Sequence, residues 1–268
     1  MKAGNKVSGF TLIELVVVIA ILAALAGLVI PQIGMLTRSS DMAASASSQS
    51  NLASNLQLFF VLQKRYPQGL DSLVDASGAV YASDTTDANT QTRGLPYAGA
   101  DGTRLQAQLA AGTLTNATGA EYLRSFTRSG FDWVYDHDAV TVNSNNSATI
   151  QRYVIANGAT AAPTTVNVAE LTGAALTAKL VPQGLLAGER LVALGIGPRN
   201  TAISKTIINC PTFPGADGKY YGRYVAIFKV YASGERAVLV GVIDSYGRTP
   251  DYTQQQFNES LPDGARQS

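Results

Sequence analysis

Three residues near the start of the chain combine in a way that could do chemistry: Gly9, Phe10 and Glu14. Gly9 closes a short basic leader, MKAGNKVSG, that carries Lys2 and Lys6. Phe10 opens an apolar run, and Glu14 is the single acid inside it. A cut after Gly9 would make Phe10 a new N-terminus, with a free amine one helical turn from the Glu14 carboxylate. A charge inside a bilayer helix costs about 2.5–3.5 kcal/mol on insertion scales, so Glu14 reads as functional. An ionised acid in such a medium needs a partner or takes up a proton.

The element that must position these groups is the apolar run itself. Leu15 to Ile30 is apolar apart from its glycine, and Pro31 closes it. As a helix, Phe10–Ile30 would measure roughly 31 Å, enough to cross the hydrocarbon core. Lys2 and Lys6 lie before the span, which keeps that end cytoplasmic and sends everything after Pro31 outward. An ordinary secretory signal has its small-residue cleavage site after the apolar region, whereas here the small residue precedes it.

With Gly9-Phe10-Thr11-Leu12-Ile13-Glu14-Leu15, the apolar helix and Pro31, the chain resembles the type IV pilin and type II secretion pseudopilin superfamily. The resemblance implies that a membrane prepilin peptidase cuts between Gly9 and Phe10 and N-methylates Phe10. It implies that Glu14 pairs with the N-terminal amine of a neighbouring subunit during filament assembly. It further implies a bacterial inner-membrane protein, single-pass, with a cytoplasmic N-terminus and a periplasmic domain built into a periplasmic filament. The implied partners are the peptidase, other pseudopilin subunits and an inner-membrane assembly platform. The segment Lys64-Arg65-Tyr66-Pro67-Gln68-Gly69-Leu70 looks like the major-pseudopilin pattern in which the helix stops at RYP and a QGL segment follows. It lacks a few residues usual between proline and glutamine.

Other constellations carry less. Asp132, Asp136 and Asp138 surround His137, the only histidine, but alternation along a strand keeps them from facing one ion. Asp244, Asp251 and the Asp217-Gly218 turn could offer oxygens to calcium, which the resemblance leaves open, yet no ligand spacing carries over. Asp84 and Asp87 read as hydrophilic surface. No other cofactor and no metal site is expected. Cys210 is the only cysteine, so no intramolecular disulfide can form, and its apolar surroundings mark it as a buried thiol. Gly195-Ile196-Gly197-Pro198 lacks the Lys-Ser/Thr pair of a phosphate loop. Tyr220, Tyr221 and Tyr224 beside Lys219 and Arg223 could stack on a ligand, but strand aromatics usually pack across strands. Asn116, Asn145 and Asn258 head glycosylation sequons by pattern only. Without a usable base there is no catalytic triad, and no enzyme is expected. A formal net charge of +1 gives no ground for a nucleic-acid partner.

The coarse reading is α+β: a pilin-like fold in which a long N-terminal helix packs on an antiparallel sheet, with a large loop and helix insertion over residues 75–130. Residues 1–9 form the leader, 10–30 the membrane or filament-core half of the helix, 31–66 its exported half and 67–268 the globular domain. Pro31 kinks the helix without ending it. Leu52, Leu56 and Phe59 make the stripe that faces the sheet, and Tyr66-Pro67 ends the helix. A short apolar helix follows at Leu70–Val74, with two more near Thr103–Ala111 and Gly119–Arg128 and others at Glu170–Lys179 and Tyr252–Leu261. Strands are expected at Phe131–Tyr135, Ala139–Val142, Ile150–Ala156 and Arg190–Ile196. A hairpin joins Arg223–Tyr231 to Ala237–Ile243. The function expected is that of a pseudopilin whose filament drives protein export. The alternatives are a pilus or competence minor pilin that binds DNA or a surface, and a membrane-tethered enzyme or binding module.

Overall fold

The computed structural model describes residues 12–74, 78–80, 105–136, 141–142, 148–149, 152–154, 165–212 and 221–252. Helix α1 runs unbroken over Leu12–Gln63, 52 residues and roughly 78 Å, and passes through Pro31. After it come β1 (Asp71–Ser72), α2 (Leu105–Gln108), β2 (Leu109–Thr115), α3 (Tyr122–Arg128) and β3 (Trp133–Asp136). Next are β4 (Thr141–Val142), β5 (Ala148–Thr149), β6 (Arg152–Val154), β7 (Thr165–Leu171) and α4 (Ala174–Leu180). The chain then builds β8 (Glu189–Gly195), β9 (Val225–Tyr231) and β10 (Val238–Ile243).

The main sheet runs β10-β9-β8-β1-β3-β6, and β7 joins β8 to β2. Its pairs are antiparallel except β1 with β3. Strands β4 and β5 form a separate pair. Helix and largely antiparallel sheet together make an α+β arrangement, consistent with the expected pilin-like fold.

Alternation along the central strands explains the two cores, because successive side chains of a strand point to opposite faces. Val192, Leu194, Ala226, Phe228 and Val230 face α1 and α3, meeting Leu52, Leu56, Phe59, Leu123 and Phe126. Leu191, Ala193, Val225 and Ile227 face the other way and pack with Leu105 and with Leu176 of α4. The expected stripe on α1 is thus the buried one.

Several elements depart from the sequence reading. Helix α1 stops at Gln63, before Tyr66, because Lys64 takes a left-handed φ of 59° while its N–H still reaches the Phe60 carbonyl at 2.7 Å. The helix expected at Leu70–Val74 is replaced by β1, which the edges of β3 and β8 recruit. Near Thr103–Ala111, among the described residues, only Leu105–Gln108 is helical, and Leu109–Thr115 pairs residue by residue with β7. Helix α4 begins at Ala174, since Glu170 and Leu171 belong to β7. Of the supposed insertion, Leu105–Gly130 supplies a strand, two helices and the buried Leu114, Leu123 and Phe126, so it is part of the sheet and core. Residues 81–104 lie outside the described ones, as does nearly all of the expected Tyr252–Leu261 helix.

Candidate functional site

Gly9 and Phe10 lie outside the described residues. Glu14 stands in the first turn of α1, on an exposed stretch that includes Leu12, Ile13, Leu15, Val18, Leu22 and Leu25. Every residue from Leu12 to Gly27 is exposed, so the apolar surface of this stretch is open. Among the described residues no helix is long and apolar enough to cross a membrane. The span read over Phe10–Ile30 includes residues at both ends whose side chains are not described, and it rests on the sequence. The backbone of Pro31 is helical, and nothing further is described of its ring.

The far half of α1 is built into the domain. Tyr66 carries the chain from helix to sheet. Its ring lies 4.6 Å from that of Phe60, 5.5 Å from Phe131 and 4.9 Å from Phe228, centroid to centroid. Its hydroxyl accepts the Leu239 N–H at 2.9 Å, which occupies a donor of the edge strand β10. Burial pushes the Tyr66 hydroxyl above the usual tyrosine range. Near the middle of the helix, Tyr224 donates from the sheet to Ser45 Oγ at 3.4 Å. Helix and sheet are therefore joined by polar contacts at Ser45 and Tyr66 and by the apolar stripe between.

The RYPQGL segment works as a strap that fixes the end of the helix. The Tyr66 N–H donates to the Ser129 carbonyl at 2.8 Å. Gln68 Oε1 accepts the N–H groups of Asp132 and Trp133 at 2.7 and 3.2 Å. Its own backbone exchanges hydrogen bonds with Thr201, to Oγ1 and from the N–H, both at 2.9 Å. Gly69 takes φ +73° under the Trp133 ring, where a Cβ would stand 2.5 Å from the ring and 2.8 Å from the Arg199 carbonyl oxygen. Only glycine suits both conditions. The spacing of the motif suggested a helix stop, but nothing in it revealed that Gln68 would be a buried clamp.

Below the strap lies a buried polar group. Asp71 accepts the Tyr221 hydroxyl at 2.8 Å, and both side chains are buried. Gly195 and Gly197 make room for them: a Cβ on Gly197 would meet Asp71 Oδ1 at 2.1 Å, and one on Gly195 would meet the Tyr221 oxygen at 1.9 Å. That is why the Gly-Ile-Gly-Pro stretch is glycine-rich. Burial holds the Tyr221 hydroxyl well above the usual range, reinforced by the Asp71 charge. Cys210 sits beside this group, its Sγ 2.9 Å from the Ile196 carbonyl and 3.4 Å from Arg223 Nη1. Burial raises its pKa, which keeps it a thiol and argues against nucleophilic use.

The remaining sequence candidates are scattered. Asp132 meets Arg65 at 3.7 Å, while His137 and Asp138 lie outside the described residues. Asp244 is fully buried; Oδ1 accepts the N–H groups of Tyr246 and Arg248, and Oδ2 accepts Arg248 Nε at 2.7 Å. Burial pushes its pKa up and these donors pull against that. Its oxygens are thus turned to nitrogen donors within its own loop. Asp251 is exposed on the last described turn. Asp84, Asp87, Asp217, Gly218, Lys219 and Tyr220 are outside the described residues. Among the described residues no group of three His, Cys, Asp or Glu side chains could hold a metal ion. Tyr221 and Tyr224 are interior, so neither offers a face to a ligand. Asn116 Oδ1 accepts the Arg124 N–H at 2.7 Å, a local contact at the start of α3.

A helix with an open apolar head, its far half locked into an α+β domain, is the build of a pilin-like subunit. Residues 4–30 match the prokaryotic N-terminal methylation motif. The chain is 38% identical over 79 residues to the type II secretion system core protein G of Escherichia coli (strain K12), 28% of this chain and 54% of that protein. It is 41% identical over 74 residues to the core protein G of Aeromonas hydrophila, 26% of this chain and 52% of that one. The counterpart in Pectobacterium carotovorum subsp. carotovorum is 38% identical over 76 residues, 27% and 49%. The chain thus spans about half the length of the curated relatives it matches. No solved structure matches it. The resemblance to type IV pilin-like proteins, and among them to type II secretion pseudopilins, stands on these matches.

Proposed function

We propose that this chain is a pseudopilin subunit of a type II secretion-like system, made as a membrane-inserted precursor and assembled into a periplasmic filament that drives protein export. The observation that carries the reading is the methylation motif at the head of a helix that continues unbroken into a folded domain. In this reading residues 1–9 are the leader, the bond between Gly9 and Phe10 is cut by a prepilin peptidase, and Phe10 is methylated. Residues 10–30 span the inner membrane once, with the N-terminus cytoplasmic and the domain periplasmic. The role is mechanical and organisational, not catalytic. No nucleic acid is needed as partner.

Glu14 supplies the assembly chemistry. An acid among Leu12, Ile13, Leu15 and Val18 is costly when ionised alone. The amine of Phe10 on the next subunit removes that cost and fixes the axial register, since the pair is strong only in a medium of low dielectric. The test is expression of the full chain with a prepilin peptidase and assembly platform. Intact mass should show loss of residues 1–9 and a methyl on Phe10, and Gly9→Leu should block both. Glu14→Gln should be shortened normally but fail to assemble. A chain that stays full length beside active peptidase sinks the reading.

A further inference from the structure

Strand β2 ends one branch of the sheet. Among the described residues its one strand partner is β7, in register from Leu109 with Leu171 to Thr115 with Thr165. The Thr172 N–H donates to the Gln108 carbonyl at 3.0 Å. The hydrogen-bonding groups of a strand turn alternately to its two sides. The even positions of β2 therefore address β7, and Leu109, Ala111 and Thr113 turn their N–H and C=O groups to the outer side. The strand reads Leu-Ala-Ala-Gly-Thr-Leu-Thr, with no charge and no proline. An uncharged edge of this length is a template for another strand, and natural sheets blunt such edges with charges, prolines or bulges.

Here the charge arrives from two strands away. Arg190 starts on β8, crosses β7 beside Glu170 and donates from Nη1 to the Thr113 carbonyl at 2.9 Å. On the way Nε donates to Glu170 Oε1 at 2.8 Å and Nη2 donates to Oε2. The guanidinium carbon lies 5.0 Å from the centre of the Tyr122 ring, at the start of α3. The path is open because position 112 has no side chain. A Cβ there would stand 2.7 Å from Glu170 Oε2 and 3.2 Å from Arg190 Nη2. Gly112 is outside the set of glycines with positive φ, so it serves space and not backbone conformation.

We propose that Arg190 guards the outer side of β2: reaching through the gap at Gly112, it keeps that edge closed to the β2 strand of a second copy. Two copies of β2 are self-complementary. Related by a twofold axis they run antiparallel, and both turn the groups of their odd positions outward, so each N–H finds a carbonyl. Docking would break the bond from Arg190 to Thr113 and bury a guanidinium against an uncharged strand, which is costly. Glu170 and Tyr122 hold the guanidinium in place, so it does not simply swing aside. The guard needs only the folded domain and is independent of the pseudopilin reading.

The experiment uses the full chain in detergent micelles, followed by sedimentation, with Cys210→Ser throughout to remove the native thiol. Glu170→Gln with Arg190→Met removes the guard and its partner together, so no lone half-buried charge is left. This pair variant should keep its Trp133 fluorescence. Its self-association should rise roughly tenfold or more, as expected when a charge-assisted hydrogen bond no longer has to be broken. Gly112→Ala keeps both charges, pushes the guanidinium out of the gap and should have the same effect. In either background Ala111→Cys should link two copies through a short thiol crosslinker. Thr113→Pro, which removes an outward N–H, should return both to the sedimentation of the unaltered chain. Glu189→Gln with Lys229→Met removes an ion pair on the opposite face of the sheet and should change nothing. The inference is overturned if Gly112→Ala, or a folded pair variant, sediments like the unaltered chain. It is equally overturned if the added association survives Thr113→Pro, gives no link at position 111, or appears as strongly in the Glu189 and Lys229 control. If the pair variant does not fold, Gly112→Ala alone decides.

Discussion

Gly69→Ala is the most informative single change in the domain. Alanine would meet two separate obstacles there. The first is conformational: φ +73° costs a residue with a Cβ about 1–2 kcal/mol. The second is steric. The new methyl would stand 2.5 Å from the Trp133 ring and 2.8 Å from the Arg199 carbonyl oxygen. The carbonyl is backbone and the ring is held at the strap, so neither retreats freely, and overpacking of this kind typically costs about 1–3 kcal/mol. Together the loss is about 2–5 kcal/mol, a large part of the stability of an ordinary domain. Gly119→Ala separates the two parts, because Gly119 has φ +79° with nothing within 4 Å of a new Cβ. It should lose only the conformational part, about 1–2 kcal/mol. Urea unfolding followed by fluorescence suits both variants, since Trp133 is the only tryptophan and reports directly on the strap. If Gly69→Ala costs no more than Gly119→Ala, Trp133 and Arg199 do not close over the turn, and the account of the strap is wrong.

Tyr221→Phe removes a donor from the buried Asp71 carboxylate and should lower stability by about 1.5–3 kcal/mol in the same urea assay. A loss indistinguishable from zero would show that other contacts hold Asp71 unaided. The hydroxyls of Tyr66, Tyr221 and Tyr224 are all held above the usual tyrosine range, chiefly by burial. The unfolded chain therefore ionises first, so stability should hold up to about pH 10 and fall as pH rises from there toward the folded values. In a spectrophotometric titration these three should ionise only as the protein unfolds; a reversible titration of every tyrosine near pH 10 with the fold intact would refute their burial. A chain beginning at Gly34 keeps the sheet-facing stripe of α1 and should be a folded monomer by circular dichroism and sedimentation. Aggregation under mild conditions would mean that the open head contributes to folding as well as to assembly.

What could be read from the sequence is what local chemistry alone decides. The apolar head, the Leu52-Leu56-Phe59 stripe and the hairpin of β9 and β10 each carry their own periodicity or turn. Their partners did not need to be known. The strand β2 was hidden because Leu109-Ala-Ala-Gly-Thr-Leu-Thr contains good helix formers and a glycine. It is a strand only because β7, more than fifty residues later, pairs with it along its whole length. The same holds for Asp71–Ser72, two residues made extended by β3 and β8. The early end of α1 was missed because the proline signal marks where a helix can no longer continue. Lys64 turns sooner, and the chain that follows is held by the backbone of Ser129. For the polar interior, sequence offered almost nothing: Gln68 and Asp71 belong to a segment read only as a helix stop and turn, Asp244 is read only as a possible oxygen donor to calcium, and each is buried where donors from distant or looping parts of the chain reach it.

The bonds that seat α1 also set a timetable. Ser45 waits for Tyr224, and Tyr66 waits for Leu239, so the first element to be made is closed by strands near the other end of the chain. Leu52, Leu56 and Phe59 share one cluster with Leu123 and Phe126 and with Val192, Leu194, Ala226 and Phe228, so their cover is completed only when β8 and β9 are in place. For most of its synthesis the chain must therefore carry an incompletely covered apolar ridge. Long-range closure of this kind is slow and exposes sticky surface while it is pending. A chain arrested before residue 224 would leave that ridge short of Tyr224, Ala226 and Phe228, which makes stalled or truncated copies natural substrates for holding chaperones and for proteases that survey incomplete chains.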